Sequence, residues 1–219
     1  MIKNVIFDLD GTLLDTKEGV MESVKYAARQ MGYKELSYDT LLSFVGPPIQ
    51  NSFIKHYGCD QETAQKAADL FREYYKSEAL LLAKPYDGIY DLCQKLREND
   101  IKMSVATYKR EDYALTLLKH FEFDKYCYPM HGADNNNVLK KEDIIRMCQD
   151  EMGGTKADSV LIGDTDNDAK GAKNADTPFI AVTYGFGFKT EEDVAGYPHI
   201  GVATTPIEVA EIILKYNMT

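Results

Sequence analysis

The spacing of apolar positions changes along this chain, and the changes divide it. Val5-Ile6-Phe7 is a continuous apolar run of the length expected for a buried strand. From about residue 16 to residue 83, apolar residues recur at helical spacing instead: Val20, Val24, Ala27, Ala28 and Met31, then Leu70, Phe71, Tyr74 and Tyr75. No strand pattern interrupts that region. Pro47-Pro48 breaks it and starts a further helix, because proline is tolerated in a first helical turn. Lys84-Pro85-Tyr86-Asp87-Gly88 closes it and leads into a helix over 89–97. Beyond that, strand and helix patterns alternate. Strands are predicted over 102–106, 160–162 and 179–182, and helices over 111–120, 142–151, 167–174 and 206–215. Such alternation implies an α/β fold, a mainly parallel sheet with helices on both faces. The expected organisation is a core of residues 1–15 and 84–219, interrupted by a helical insert over 16–83.

Polar residues at the strand ends carry the chemistry. Phe7-Asp8-Leu9-Asp10-Gly11-Thr12 follows the first strand. Residues i and i+2 of an extended segment point to one side, so Asp8 and Asp10 are expected to project together. Two adjacent carboxylates repel, and the pair needs a cation, a shared proton or a division of labour. A hard divalent ion with oxygen ligands is the simplest solution. A second acidic cluster, Gly163-Asp164-Thr165-Asp166-Asn167-Asp168, follows the strand at 160–162. It resembles a calcium loop at its first three acidic positions. However, the sixth position is Ala169, the twelfth is Ala175, and a strand precedes it, so that reading is rejected. Both clusters sit at strand carboxyl ends, where ligands bind in parallel sheets.

Ser104-Val105-Ala106-Thr107 ends another strand with a hydroxyl just before a helix start, an arrangement suited to an anion. Lys140-Lys141 opens the helix near Glu142. A lysine is unfavourable at the positive end of a helix, so the pair suggests a nearby anion. Gly185-Phe186-Gly187 lacks the third glycine of a dinucleotide loop and reads as a flexible loop near the same edge.

In this order, Asp8-Leu9-Asp10-Gly11-Thr12, Thr107 after an apolar strand, a lysine before a helix, and Gly163-Asp164 with Asp168 resemble the haloacid dehalogenase superfamily. The likeness covers essentially the whole chain. The helical insert, with Phe44-Val45-Gly46-Pro47-Pro48 and Phe71-Arg72-Glu73-Tyr74-Tyr75, is similar to the small cap of its phosphoglycolate-phosphatase-like branch. The resemblance implies a Rossmann-like core and a cap that closes over the substrate. It further implies a Mg²⁺-dependent phosphatase acting on a small phosphorylated metabolite. Asp8 would be the nucleophile that forms an aspartyl-phosphate, and Asp10 the acid and base. Asp8, the Asp10 carbonyl and Asp164 would hold Mg²⁺, with Asp168 in support. Thr107, Tyr108 and Lys141 would bind phosphate, Thr107 and Lys141 taking part in catalysis. Tyr108 stands where relatives often carry Asn, and the usual Lys-Pro-x-Pro is absent. Lys141 is preferred to Lys140 because Lys141-Glu142-Asp143-Ile144-Ile145 matches a form that some relatives use. A phosphomutase of the same superfamily and a non-catalytic binding protein on this scaffold are the alternatives.

Composition narrows the partners. The 219 residues are 44% hydrophobic and 27% charged, as in ordinary globular proteins. Lys and Arg number 25 against 35 Asp and Glu, a formal net charge of −10. That argues against nucleic acid or an anionic membrane as partner. Cys59, Cys93, Cys127 and Cys148 form no CxxC pair and read as reduced thiols. Met1-Ile2-Lys3-Asn4 leads into the first strand without a signal-peptide pattern, so a cytoplasmic location is expected. The sequence does not reveal the oligomeric state.

Overall fold

The computed structural model describes residues 1–134 and 138–218. The chain forms two compact units, Met1–Asp15 with Pro85–Thr219, and Thr16–Lys84.

The larger unit is built on six parallel strands: β1 (Asn4–Phe7), β4 (Lys102–Arg110), β5 (Cys127–Ala133), β6 (Ser159–Gly163), β7 (Phe179–Val182) and β8 (Gly201–Ala203), in the order β5-β4-β1-β6-β7-β8. The short strands β2 (Leu14–Asp15) and β3 (Lys84–Pro85) bracket the smaller unit along the chain. Register brings the strand ends level. Phe7 lies opposite Val105 on one side and Ile162 on the other. The first residues past that level are therefore Asp8 on β1, Ala106-Thr107 on β4 and Gly163-Asp164 on β6. The sheet is continuously apolar at its centre because helices cover both faces. On one face, Ile6, Ala106, Leu161 and Ala181 pack with Ile144, Ile145 and Cys148 of α7 (Lys141–Met152) and with Ala169 and Ala172 of α8 (Asp166–Asn174). The remaining helices of this unit are α5 (Ile89–Glu98), α6 (Glu111–His120), α9 (Glu191–Val194) and α10 (Pro206–Met218), joined by a 3₁₀ turn over Phe123–Lys125.

The smaller unit contains α1 (Lys17–Gln30), α2 (Tyr38–Leu42), α3 (Ile49–Tyr57) and α4 (Gln61–Tyr74), the last running on into a π turn over Tyr75–Ala79. Pro48 is the N-cap of α3. The helical spacing resolves into an apolar seam. Val20, Val24, Ala27 and Ala28 of α1 are buried, as are Ala64, Ala67, Ala68 and Phe71 of α4. Among the described residues, no helix is long and apolar enough to cross a membrane.

Three features depart from the pattern-based expectation. β5 and β8 carry no strand signal in the sequence. They are the two edges of the sheet, each with one neighbour, and their residues are only partly buried, so the continuous apolar run of a central strand is missing. β5 also contains Pro129, which an edge strand tolerates. Finally, β4 does not stop at Ala106 but runs on to Arg110, so Thr107 lies within the strand and not at its end. There the ladder to β5 is irregular. Ala106 pairs with His131 and Arg110 with Ala133, so two extra residues of β4 bulge out between those pairs.

Candidate active site

Four short segments converge at the carboxyl end of the sheet: the turn after β1, the bulge of β4, the N-terminus of α7 and the loop between β6 and α8. Asp8 is fixed at the end of β1 by its amide, which donates to the Ile162 carbonyl at 2.9 Å. Lys141, the first residue of α7, is 1% exposed. Its Nζ lies 2.6 Å from Asp8 Oδ1 and 2.7 Å from Asp168 Oδ1. The anion that a lysine at this helix start called for is thus a pair of aspartates. Its neighbour Lys140 is exposed.

Asp168 is held on its other side as part of a capping box. Its Oδ2 accepts from the Thr165 amide at 3.1 Å and the Thr165 hydroxyl at 2.6 Å, while the Asp168 amide donates back to Thr165 Oγ1. Asp166, the extra acid of this cluster, points away and pairs with Lys170 one turn along α8 at the surface.

Asp164 is fully buried. The amides of Phe186 and Gly187 donate to its Oδ2 at 2.6 and 3.1 Å. The Gly185-Phe186-Gly187 segment, read from the sequence as a flexible loop, therefore clamps a site carboxylate with two main-chain donors. Glycine is required on both sides of this clamp. Gly11 adopts φ 85°, and a Cβ there would lie 2.2 Å from Asp164 Oδ2. A Cβ on Gly185 would lie 2.3 Å from the Gly11 carbonyl oxygen.

Asp8, Asp164 and Asp168 each present a carboxylate oxygen within 4.8 Å of the others. Together with Lys141 they amount to three carboxylates facing one ammonium, an excess of two negative charges when all are ionised. Burial pushes Asp8 up to about 7, the Lys141 charge opposing it and the Asp168 charge adding to it. Burial pushes Asp164 up to about 8, with the charges of Asp168 and Asp8 adding to the effect. Lys141 is held above its ordinary value: burial alone would lower it, but Asp168 and Asp8 outweigh that. Among the described residues, Asp164 Oδ1 is one of two buried side-chain polar atoms with no hydrogen-bond partner, the other being Thr12 Oγ1. A buried carboxylate oxygen without a donor is costly unless a cation meets it. The donor set is all oxygen, the choice of hard divalent ions. The residues therefore fit a metal.

Thr107 is buried, and its Oγ1 accepts from the Lys109 amide at 3.1 Å. Tyr108 adjoins the site lysine: its hydroxyl accepts from the Lys141 amide at 2.9 Å, and its ring lies 5.9 Å from Lys141 Nζ. Asp10 meets a second lysine. Its Oδ2 lies 3.0 Å from Lys109 Nζ, in a pair only 8% and 15% exposed. The repulsion expected of two adjacent aspartates is thus met by giving each its own lysine. Lys109 escapes a sequence reading that ends β4 at Ala106. The signal was its i+2 spacing from Thr107, which on a strand that continues puts both on one side.

A fold of this topology defines a Rossmann-like α/β core, with acidic residues gathered at the carboxyl edge of its central strands, where ligands bind in parallel sheets. Residues 5–182 match the model of a haloacid dehalogenase-like hydrolase. The chain is 34% identical over 189 residues to a 5'-nucleotidase of Pseudomonas aeruginosa, covering 86% of each chain. It is 31% identical over 189 residues to a phosphoglycolate phosphatase of Agrobacterium fabrum, covering 83% of this chain and 80% of that one. The crystal structure of a predicted phosphatase from Clostridium acetobutylicum superposes with a TM-score of 0.89 at 34% identity, over 98% of this chain and 99% of the other. The chain belongs to the haloacid dehalogenase-like hydrolase family, and its enzyme class is that of these phosphatase relatives.

Proposed function

We propose that this protein is a Mg²⁺-dependent phosphatase that hydrolyses small phosphomonoesters with Asp8 as nucleophile. The observation that carries the reading is the Asp8 carboxylate, buried and held at 2.6 Å by the Lys141 ammonium, beside two further buried aspartates, Asp164 just past β6 and Asp168 in the first turn of α8. In the first step an Asp8 oxygen attacks phosphorus while the bond from phosphorus to the ester oxygen breaks. Asp10, as the acid, gives a proton to that departing oxygen. In the second step Asp10 takes a proton from water, whose oxygen attacks phosphorus and releases inorganic phosphate and the Asp8 carboxylate. The Lys141 ammonium and the Thr107 hydroxyl hold phosphate oxygens as charge shifts onto them. Tyr108, engaged by the Lys141 amide, fixes the start of the helix that carries this lysine. Asp8, the Asp10 carbonyl and Asp164 would hold Mg²⁺, which when bound supplies positive charge that screens the nucleophile from the anionic phosphate.

The named relatives favour nucleotide-type or phosphoglycolate-type substrates. A net charge of −10 favours a small metabolite over nucleic acid. The test is phosphate release from a panel of phosphomonoesters, with and without Mg²⁺, by the wild type and Asp8→Asn. Mg²⁺-dependent release that disappears in Asp8→Asn supports the reading. Wild-type release no greater than that of Asp8→Asn on every compound refutes it.

A further inference from the structure

The Lys109–Asp10 pair is not explained by the chemistry above. Three observations bear on it. Nζ and Oδ2 are 3.0 Å apart with both side chains largely buried, so the contact is shielded from solvent screening. Lys109 lies on the bulged stretch of β4, where two extra residues displace the strand from its ladder. Its own amide donates to Thr107 Oγ1, so one short segment holds both the threonine hydroxyl and the ammonium that meets Asp10. Asp10 itself lies just past the end of β1, bridged to Leu14, and immediately precedes the tight Gly11 turn.

We infer that Lys109 is a positioning residue for Asp10, orienting its carboxyl toward the oxygen that leaves phosphorus, and so sets the efficiency of proton transfer to the leaving group. The inference rests on the phosphatase reading and on Asp10 as its acid. It makes a distinction that a phosphate-binding or purely structural lysine does not. An alkyl phosphate has a leaving oxygen that needs a proton. The leaving group of p-nitrophenyl phosphate is stable as an anion and needs little help. A misplaced acid therefore penalises the first far more than the second.

The experiment measures kcat/KM, which reports the steps through cleavage of the ester, for an alkyl phosphomonoester and p-nitrophenyl phosphate. It compares wild type, Lys109→Met, Lys109→Arg, Asp10→Asn and the Lys109→Met/Asp10→Asn double variant, with Lys109→Gln as a second neutral replacement and thermal melting as the check on folding. Lys109→Met is expected to lower kcat/KM on the alkyl ester by on the order of 10- to 100-fold and on p-nitrophenyl phosphate by less than roughly threefold. Lys109→Arg should recover most of the loss. In the Asp10→Asn background Lys109→Met should cost nothing more, because a residue acting through Asp10 has nothing left to orient. Equal losses on both esters, or a loss that persists in the Asp10→Asn background, would overturn the inference and mark Lys109 as a phosphate contact or a structural group. No loss at all would overturn it too. If Asp10→Asn hydrolyses the alkyl ester as well as the wild type, or if the wild type hydrolyses neither ester, the underlying reading falls and takes the inference with it.

Discussion

Replacing Lys141 by Met isolates the charge at the centre of the site, because Met keeps the aliphatic stem and removes the ammonium. At 2.6 and 2.7 Å each contact to Asp8 and Asp168 has a direct attraction of about 6 kcal/mol at an effective dielectric of 20. Most of that is offset by the cost of taking an ammonium and two carboxylates out of water, several kcal/mol per ion. The variant keeps the buried carboxylates and loses what compensates them, so its net cost falls in the range for a broken buried pair, about 3–5 kcal/mol. The cost should depend on pH in a defined direction. Burial raises Asp8 and the Lys141 charge opposes that rise, so without the ammonium Asp8 binds a proton more readily in the folded state and the variant escapes part of its penalty as pH falls. Urea unfolding of metal-free wild type and Lys141→Met, followed by circular dichroism at pH 8 and pH 5, measures both quantities. The account expects the full loss at pH 8 and a smaller one at pH 5. Equal stability of the two proteins at pH 8, or the same loss at both pH values, would refute it, the latter by tracing the loss to packing.

Metal-free wild type has its own pH signature. Asp8 and Asp164 rise from an ordinary 3.8 to about 7 and about 8 in the folded state, which therefore holds more protons than the unfolded chain across that span. Stability should fall as pH rises through it, and Mg²⁺, competing with those protons, should raise Tm more at pH 8 than at pH 5. An equal Mg²⁺-induced shift at both pH values would contradict this. Asp164→Asn should weaken Mg²⁺ binding at least roughly tenfold by isothermal titration, and unchanged affinity would place the ion elsewhere. Gly185→Ala drives a methyl to 2.3 Å from the Gly11 carbonyl and 2.4 Å from Asp164 Oδ2, so both Tm and Mg²⁺ affinity should drop. A variant unchanged in both would show that this clamp yields without cost.

How much of the molecule can be read from the sequence follows from how each part is buried. β1, β6 and β7 lie inside the sheet with a neighbour on each side, and each is a plain apolar run in the sequence. β5 and β8 are edges with partial burial, and nothing in their residues marks them. Asp8, Thr107 and Asp164 were legible because acids and hydroxyls at the ends of apolar runs stand out, and Lys141 because a lysine at a helix start calls for an anion. Partnership was not. That Asp8 and Asp10 look to different lysines depends on the bulge in β4, which arises from a register mismatch between two strands about 20 residues apart. Likewise, the donors to Asp164 are main-chain amides of Phe186 and Gly187, and main-chain groups leave no trace in a residue pattern.

The central claim is that Asp8 accepts the phosphoryl group. The most direct measurement is an acid quench of a single turnover with a phosphomonoester radiolabelled on phosphorus, followed by peptide mapping of the protein-bound label. The account predicts transient label on the peptide that contains Asp8 in the wild type, and none on Asp8→Asn. Turnover with no protein-bound label at any quench time, or label that persists in Asp8→Asn, would contradict it.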